Sequence, residues 1–146
     1  MIEFILMINK QGHTRMSQYY IKIPLKDRVT LEYELIRICL KRSDDQCSFF
    51  YLREHKIIYR RYASLYLIVG STEDSNELGL YEFIHNIVEI FDKYFKSVCE
   101  LDIMFNLEKV HFILNEMIID GRIIGTNKTN VLYPLHLLDK VNKGQT

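Results

Sequence analysis

Hydrophobic and polar positions along this chain change period several times, and each change marks an element. Ile2 to Ile8 is apolar everywhere except Glu3, the pattern of a strand covered on both faces. Asn9, Lys10, Gln11 and Gly12 supply turn chemistry, with Gly12 able to take positive φ, so Thr14 to Ile23 reads as the second strand of a hairpin. Pro24 stops that strand. Between Asp27 and Leu40, the residues Val29, Tyr33, Ile36 and Leu40 recur at three-to-four spacing, which predicts a helix with this stripe buried. Three short strands follow, Cys47 to Leu52, Lys56 to Arg60 and Ala63 to Val69, with a bend at Arg53 and Glu54.

Gly70 to Glu77 reads as a polar loop, and Asn76 or Ser75 supplies the N-cap of the next helix. That helix, about Leu78 to Phe95, carries two apolar stripes. One is Tyr81, Ile84, Val88, Phe91 and Phe95; the other is Phe83, Ile87, Ile90 and Tyr94. Such a helix is buried on two sides or offers one side to a partner. A chain of this size has little material to cover both, so a partner is expected on one side. A last helix, roughly Leu101 to Ile119, places Val110, Ile113, Leu114 and Met117 on one face, with Gly121 suited to its C′ position. Val131 to Val141 reads as a short amphipathic helix begun near Pro134, followed by a frayed end. The order predicts an α+β fold in which helices pack on an antiparallel sheet. One domain over 1–146 is expected, with a core to about residue 120 and a C-terminal extension over 121–146.

Composition narrows the class of function. The chain has 146 residues, 48% hydrophobic and 26% charged, ordinary values for a globular protein. Nineteen basic residues balance nineteen acidic ones, which argues against bulk electrostatic attachment to nucleic acid or anionic lipid. Zero net charge also removes the repulsion that keeps a small domain soluble by itself, so the chain is easier to understand inside an assembly. No apolar run approaches the roughly 18 residues of a membrane span, and the N-terminal apolar run is too short for a signal segment. A cytosolic protein is therefore expected, with membrane contact only through partners. Cys39, Cys47 and Cys99 lack C-x-x-C spacing and read as reduced, mostly buried thiols.

Catalytic chemistry is not signalled. His13, His55, His85, His111 and His136 are scattered, with no metal-ligand spacing, and no nucleophile elbow or phosphate-binding glycine loop occurs. No enzyme activity, metal or cofactor is expected. His85 reads as a hydrogen-bonded structural histidine, and Cys99, among apolar neighbours in VCEL, as a buried inert thiol. The pairs Asp44-Asp45 and Glu73-Asp74 read as solvated loop carboxylates.

Two features invite binding. Arg15, Arg60 and Arg61 are basic strand residues, suited to salt bridges or to an acidic partner. Ala63 and Leu65 alternate to one face of a strand, while Val88, Val98, Leu101 and Ile103 lie in the helical second half. From the residues alone, these six fit a core more readily than a ligand pocket.

The stretches VCELDIMFNLEKVHFILNEM, from Val98 to Met117, and IIYRRYASLY, from Ile57 to Tyr66, closely resemble the small (sigma) subunits of heterotetrameric adaptor complexes, which sort membrane cargo into vesicles. The resemblance runs in register from Met1 to about Lys140. It implies a longin-like (SNARE-like) fold, a five-stranded antiparallel sheet between helices. It also implies a slot for acidic dileucine signals, [DE]xxxL[LI], in the cytosolic tails of membrane cargo. Ala63, Leu65, Val88, Val98, Leu101 and Ile103 would line the leucine pockets. Arg15 would receive the upstream acidic residue, beside a basic residue of a large subunit.

FILMINKQG, Tyr19-Tyr20, CSFFYLREHKIIYRRY, FIHNIVEIFDKYF and LYPLHLLDK look most like the sigma branch of adaptor complex 4. The implied partners are an epsilon-type large chain, a beta-type large chain and a medium (mu) chain. The implied setting is the cytoplasmic face of trans-Golgi or endosomal membranes and their coated vesicles. Ser97, where some relatives have asparagine, and Glu3, where a basic residue is usual, depart from the family pattern. The alternatives are a sigma subunit of complex 1, 2 or 3, or a longin-type coat subunit that is purely structural.

Overall fold

A computed structural model describes residues 1–42, 48–62, 64–95, 99–119 and 122–123. Two strands open the chain, β1 (Ile2–Asn9) and β2 (Thr14–Tyr19), followed by helix α1 (Leu25–Lys41). Strands β3 (Ser48–Leu52), β4 (His55–Tyr62) and β5 (Leu65–Ser71) come next. Helices α2 (Glu77–Phe95), α3 (Glu100–Phe105) and α4 (Leu107–Met117) complete the main layers, and β6 (Ile118–Ile119) pairs with β7 (Arg122–Ile123) as a small ribbon.

The five long strands form one antiparallel sheet in the order β2-β1-β5-β4-β3. The first strand thus returns to the middle, beside the last one. This placement explains their composition: β5 is buried at all seven positions and β1 at seven of eight, because helices cover both faces of the central strands. Edge strand β2 is polar and half-buried, keeping only Met16 fully inside.

Leu31, Leu35 and Cys39 of α1 pack on Phe4, Leu6, Ile8, Phe50, Ile57, Tyr59 and Ile68 on one face of the sheet. The other face, with Ile5, Met7, Ile58, Leu67 and Val69, is covered by α2, α3 and α4. The buried stripe on α1 differs from the expected one, of which only Ile36 packs against this cluster. Val29 and Tyr33 are 64% and 62% exposed, Leu25 is 76% and Leu40 is 41% exposed. The helix is apolar on two sides, and its 31-35-39 line carries the residues that fit against β1 and β4.

The reverse holds for α2. Phe83, Ile84, Ile87, Val88, Ile90 and Phe91 are buried, and Tyr81, Tyr94 and Phe95 pack against the same cluster. Its two stripes are covered by the sheet and by Val110, Ile113, Leu114 and Met117 of α4, without a partner chain. Asn76 rather than Ser75 caps this helix, its Oδ1 accepting from the Leu78 N–H at 2.9 Å.

Other boundaries moved for local reasons. The second strand ends at Tyr19, four residues before Ile23, and Pro24 instead stands at the N-cap of α1. Strand β5 runs through Gly70 and Ser71, which the sequence placed in a loop, because both still pair with β4. The last helical stretch is broken at Asn106, whose backbone leaves helical geometry and whose Nδ2 donates to the Asp102 carbonyl at 2.8 Å. Helix α4 then stops at Met117, since Ile118 is already extended; Gly121 and the expected helix from Val131 to Val141 lie outside the described residues.

Candidate functional site

The loop joining β1 to β2 is built by Asn9, whose Oδ1 accepts from the N–H groups of Gln11 at 3.0 Å and His13 at 2.8 Å. Gly12 completes the turn with φ +88°, a conformation that side chains disfavour. This turn leaves the Asn9 side-chain amide, 2% exposed as a residue, aimed at α3. There Nδ2 donates to Glu100 Oε1 at 2.9 Å, and Arg15 Nε donates to the same oxygen at 2.7 Å. Strand β2 brings Arg15 to this point and the first turn of α3 brings Glu100. Both ends are partly open to solvent, with side chains 29% and 23% exposed. The Asn9 amide first, and then the Arg15 guanidinium, hold the Glu100 carboxyl below its ordinary range.

Leu65 opens β5, Val88 lies in the third quarter of α2 and Ile103 lies in α3; all three join one buried cluster. Their exposures are 1%, 6% and 0%. Leu101, by contrast, is 56% exposed, one residue beyond Glu100. The chain therefore places an arginine–carboxylate pair, an exposed leucine and an apolar cluster around α3. Ala63, Val98 and Ser97 lie outside the described residues. Two surface cavities, of about 400 Å³ by Ile2 and Leu80 and about 310 Å³ between α1 and Leu52, lie elsewhere.

The remaining sequence candidates have structural employment. Arg60 donates through Nη1 to His85 Nδ1 at 3.3 Å, which leaves the ring proton on Nε2 to donate to Glu89 at 2.6 Å. His85 is thus hydrogen-bonded as expected, though exposed. Arg61 also has partners. Cys39 is buried, but Cys99 is exposed, contrary to the expected buried thiol, because it stands in the open at the N-cap of α3. Glu3 meets His55 Nδ1 at 2.9 Å.

Sequence reasoning missed Asn9 and Glu100. Asn9 looked like turn chemistry alone, and only its contact across 91 positions reveals the second role. It also missed Lys56, 6% exposed, whose Nζ donates to the Ser75 carbonyl at 2.8 Å and lies 5.6 Å from the centre of the Phe49 ring. Among the described residues no group of three metal-ligating side chains occurs, and no helix is long and apolar enough to cross a membrane.

Comparison with known proteins decides the family. The clathrin adaptor complex small chain family matches residues 1–142. This chain belongs to that family. It is 56% identical over 141 residues to the AP-4 complex subunit sigma of Arabidopsis thaliana, covering 97% of this chain and 99% of that one. The AP-4 complex subunit sigma-1 of Homo sapiens is 52% identical over 143 residues, covering 98% and 99%. The AP-1 complex subunit sigma-1A of Homo sapiens is 42% identical over 139 residues, covering 95% and 88%. In structure, the chain is similar to one in a homology model of the full-length AP-3 complex in a stretched open conformation. There the TM-score is 0.79 at 26% identity, covering 99% and 97%. The expected α+β longin-like architecture is thereby established, and the chain is a small subunit of an adaptor complex of the vesicle-coat type.

Proposed function

We propose that this adaptor small chain is the sigma subunit of an adaptor complex 4, acting in vesicle-mediated protein transport. Identity of 52–56% across nearly the whole chain to AP-4 sigma subunits of a plant and a mammal carries the assignment to complex 4. In this reading the chain braces an epsilon-type large subunit within a heterotetramer that also holds a beta-type large chain and a mu chain. The outward stripe of α1, Leu25, Val29, Tyr33 and Leu40, supports the brace because it leaves large apolar side chains uncovered in the free chain. The complex acts peripherally at trans-Golgi or endosomal membranes, contacting them through its other subunits and through cargo tails.

The same chain receives acidic dileucine signals. Ala63, Leu65, Val88, Val98, Leu101 and Ile103 take the two leucines, and Arg15 takes the acidic residue. The gathering of Leu65, Val88 and Ile103 in one cluster, with Leu101 and the Glu100 partner of Arg15 on the same short helix as Ile103, supports this assignment. A brace without cargo binding is the second reading. It is favoured by the burial of Leu65, Val88 and Ile103, which must be uncovered before a leucine can enter.

The assembled complex tests both. Val88→Asp strikes the pocket but also the core, whereas Leu101→Asp alters an exposed side chain. Loss of dileucine-peptide binding in an intact Leu101→Asp complex supports the cargo reading; unchanged affinity in both variants leaves the brace alone.

A further inference from the structure

Glu100 stands where the acidic residue of a bound signal would be expected to act, in contact with Arg15. Its Oε1 accepts from Arg15 Nε at 2.7 Å, and no partner for Arg15 Nη1 or Nη2 is found among the described residues. A second carboxylate can therefore still approach the outer edge of the guanidinium. It does so beside an anion that already neutralises the cation. Asn9, itself buried, donates to the same Glu100 oxygen at 2.9 Å, so two donors hold the carboxylate in place rather than leaving it free to swing away.

We propose that Glu100 is a built-in counter-ion that sets the acidic-residue subsite to weak binding. The inference rests on the cargo reading above and deepens it: Glu100 determines how strongly the site discriminates an acidic signal from a neutral one. A charge that repels the ligand's carboxylate while anchoring the arginine has two separable effects. The negative charge opposes the ligand, and the acceptor oxygen orients Arg15. Gln at this position removes the charge and keeps an acceptor for both Asn9 and Arg15; Ala removes both.

The experiment uses the assembled complex and two fluorescent peptides, one carrying Glu four residues before a Leu-Leu pair and one with Gln in its place. Glu100→Gln is expected to tighten the acidic peptide roughly two- to fivefold, the range of partly exposed charge pairs, and to leave the Gln peptide unchanged. Glu100→Ala is expected to gain less, because Arg15 loses its anchor. An unchanged ratio between the two peptides in Glu100→Gln, or a weaker acidic peptide, overturns the counter-ion role while leaving the cargo reading standing. Failure of the unsubstituted complex and of Glu100→Gln to bind either peptide overturns the cargo reading itself, and this inference with it.

Discussion

Gly70 stands opposite Phe4 in the β1–β5 ladder, and a methyl group built on it would lie 2.1 Å from the Phe4 Cζ. No side-chain tip can slide aside there, because the ring is fully buried beneath α1 and its neighbours. Gly70→Ala is therefore expected to destabilise the chain by at least about 1–3 kcal/mol, the usual cost of overpacking, read as a lower unfolding midpoint in urea. Alkaline pH is a second lever at this scale. Burial pushes the Cys39 thiol from 9.0 up to about 12 and the Tyr20 phenol from 10.0 up to about 12. Burial, reinforced by the bond to Asp92, raises Tyr62 as well. Each group holds its proton more tightly when folded than when unfolded. Their contribution is thus complete below the unfolded values and is lost as pH rises from about 9 towards 12. Each adds a slope of up to about 1.4 kcal/mol per pH unit. Urea titrations between pH 8 and 11, on the order of half a unit apart, should show falling stability, and Cys39→Ala should flatten the first part of that fall.

Among the elements, α1 and α2 show what periodicity reveals and what it leaves open. Both helices, the five-strand order of elements and the α+β class were legible, because Ile2 to Ile8 and the turn at Asn9 to Gly12 leave little choice. The phase of α1 was not. Leu31, Leu35 and Cys39 sit two positions beyond Val29, Tyr33 and the next turn, about 200° around the axis, and both lines are apolar. Only the complementary surface of β1 and β4 selects one of them. The covering of α2 was equally hidden, since it depends on α4 folding back over it across the break at Asn106. For the site, Arg15 and the apolar residues were nameable from the resemblance, but the Asn9–Glu100 contact is long-range and leaves no local mark. The phase is directly testable. Leu35→Ala should cost about 2–5 kcal/mol of chain stability, whereas Tyr33→Lys should stay within about 0.5 kcal/mol in thermal or urea unfolding. Equal costs would restore the stripe that the sequence favoured.

At the scale of the whole molecule, the sheet separates the two surfaces that the proposed roles would use. The α1 face presents Leu25, Val29, Tyr33 and Leu40, while the opposite layer presents Arg15, Glu100 and Leu101 near α3. A net charge of zero gives the chain no general repulsion to keep such an apolar stripe from associating. The stripe is therefore expected to be covered in the adaptor complex, and covering it should raise apparent stability by mass action. Because the layers are distinct, the two proposed roles should separate by mutation. Paired Val29→Asp and Tyr33→Asp substitutions should leave the isolated fold intact but sharply reduce co-purification with the epsilon-type large subunit. Leu101→Asp should co-purify at one-to-one ratio and lose only the dileucine peptide. The reverse pattern, with capture abolished by Leu101→Asp and untouched by the α1 pair, would place the large subunit on the α3 layer.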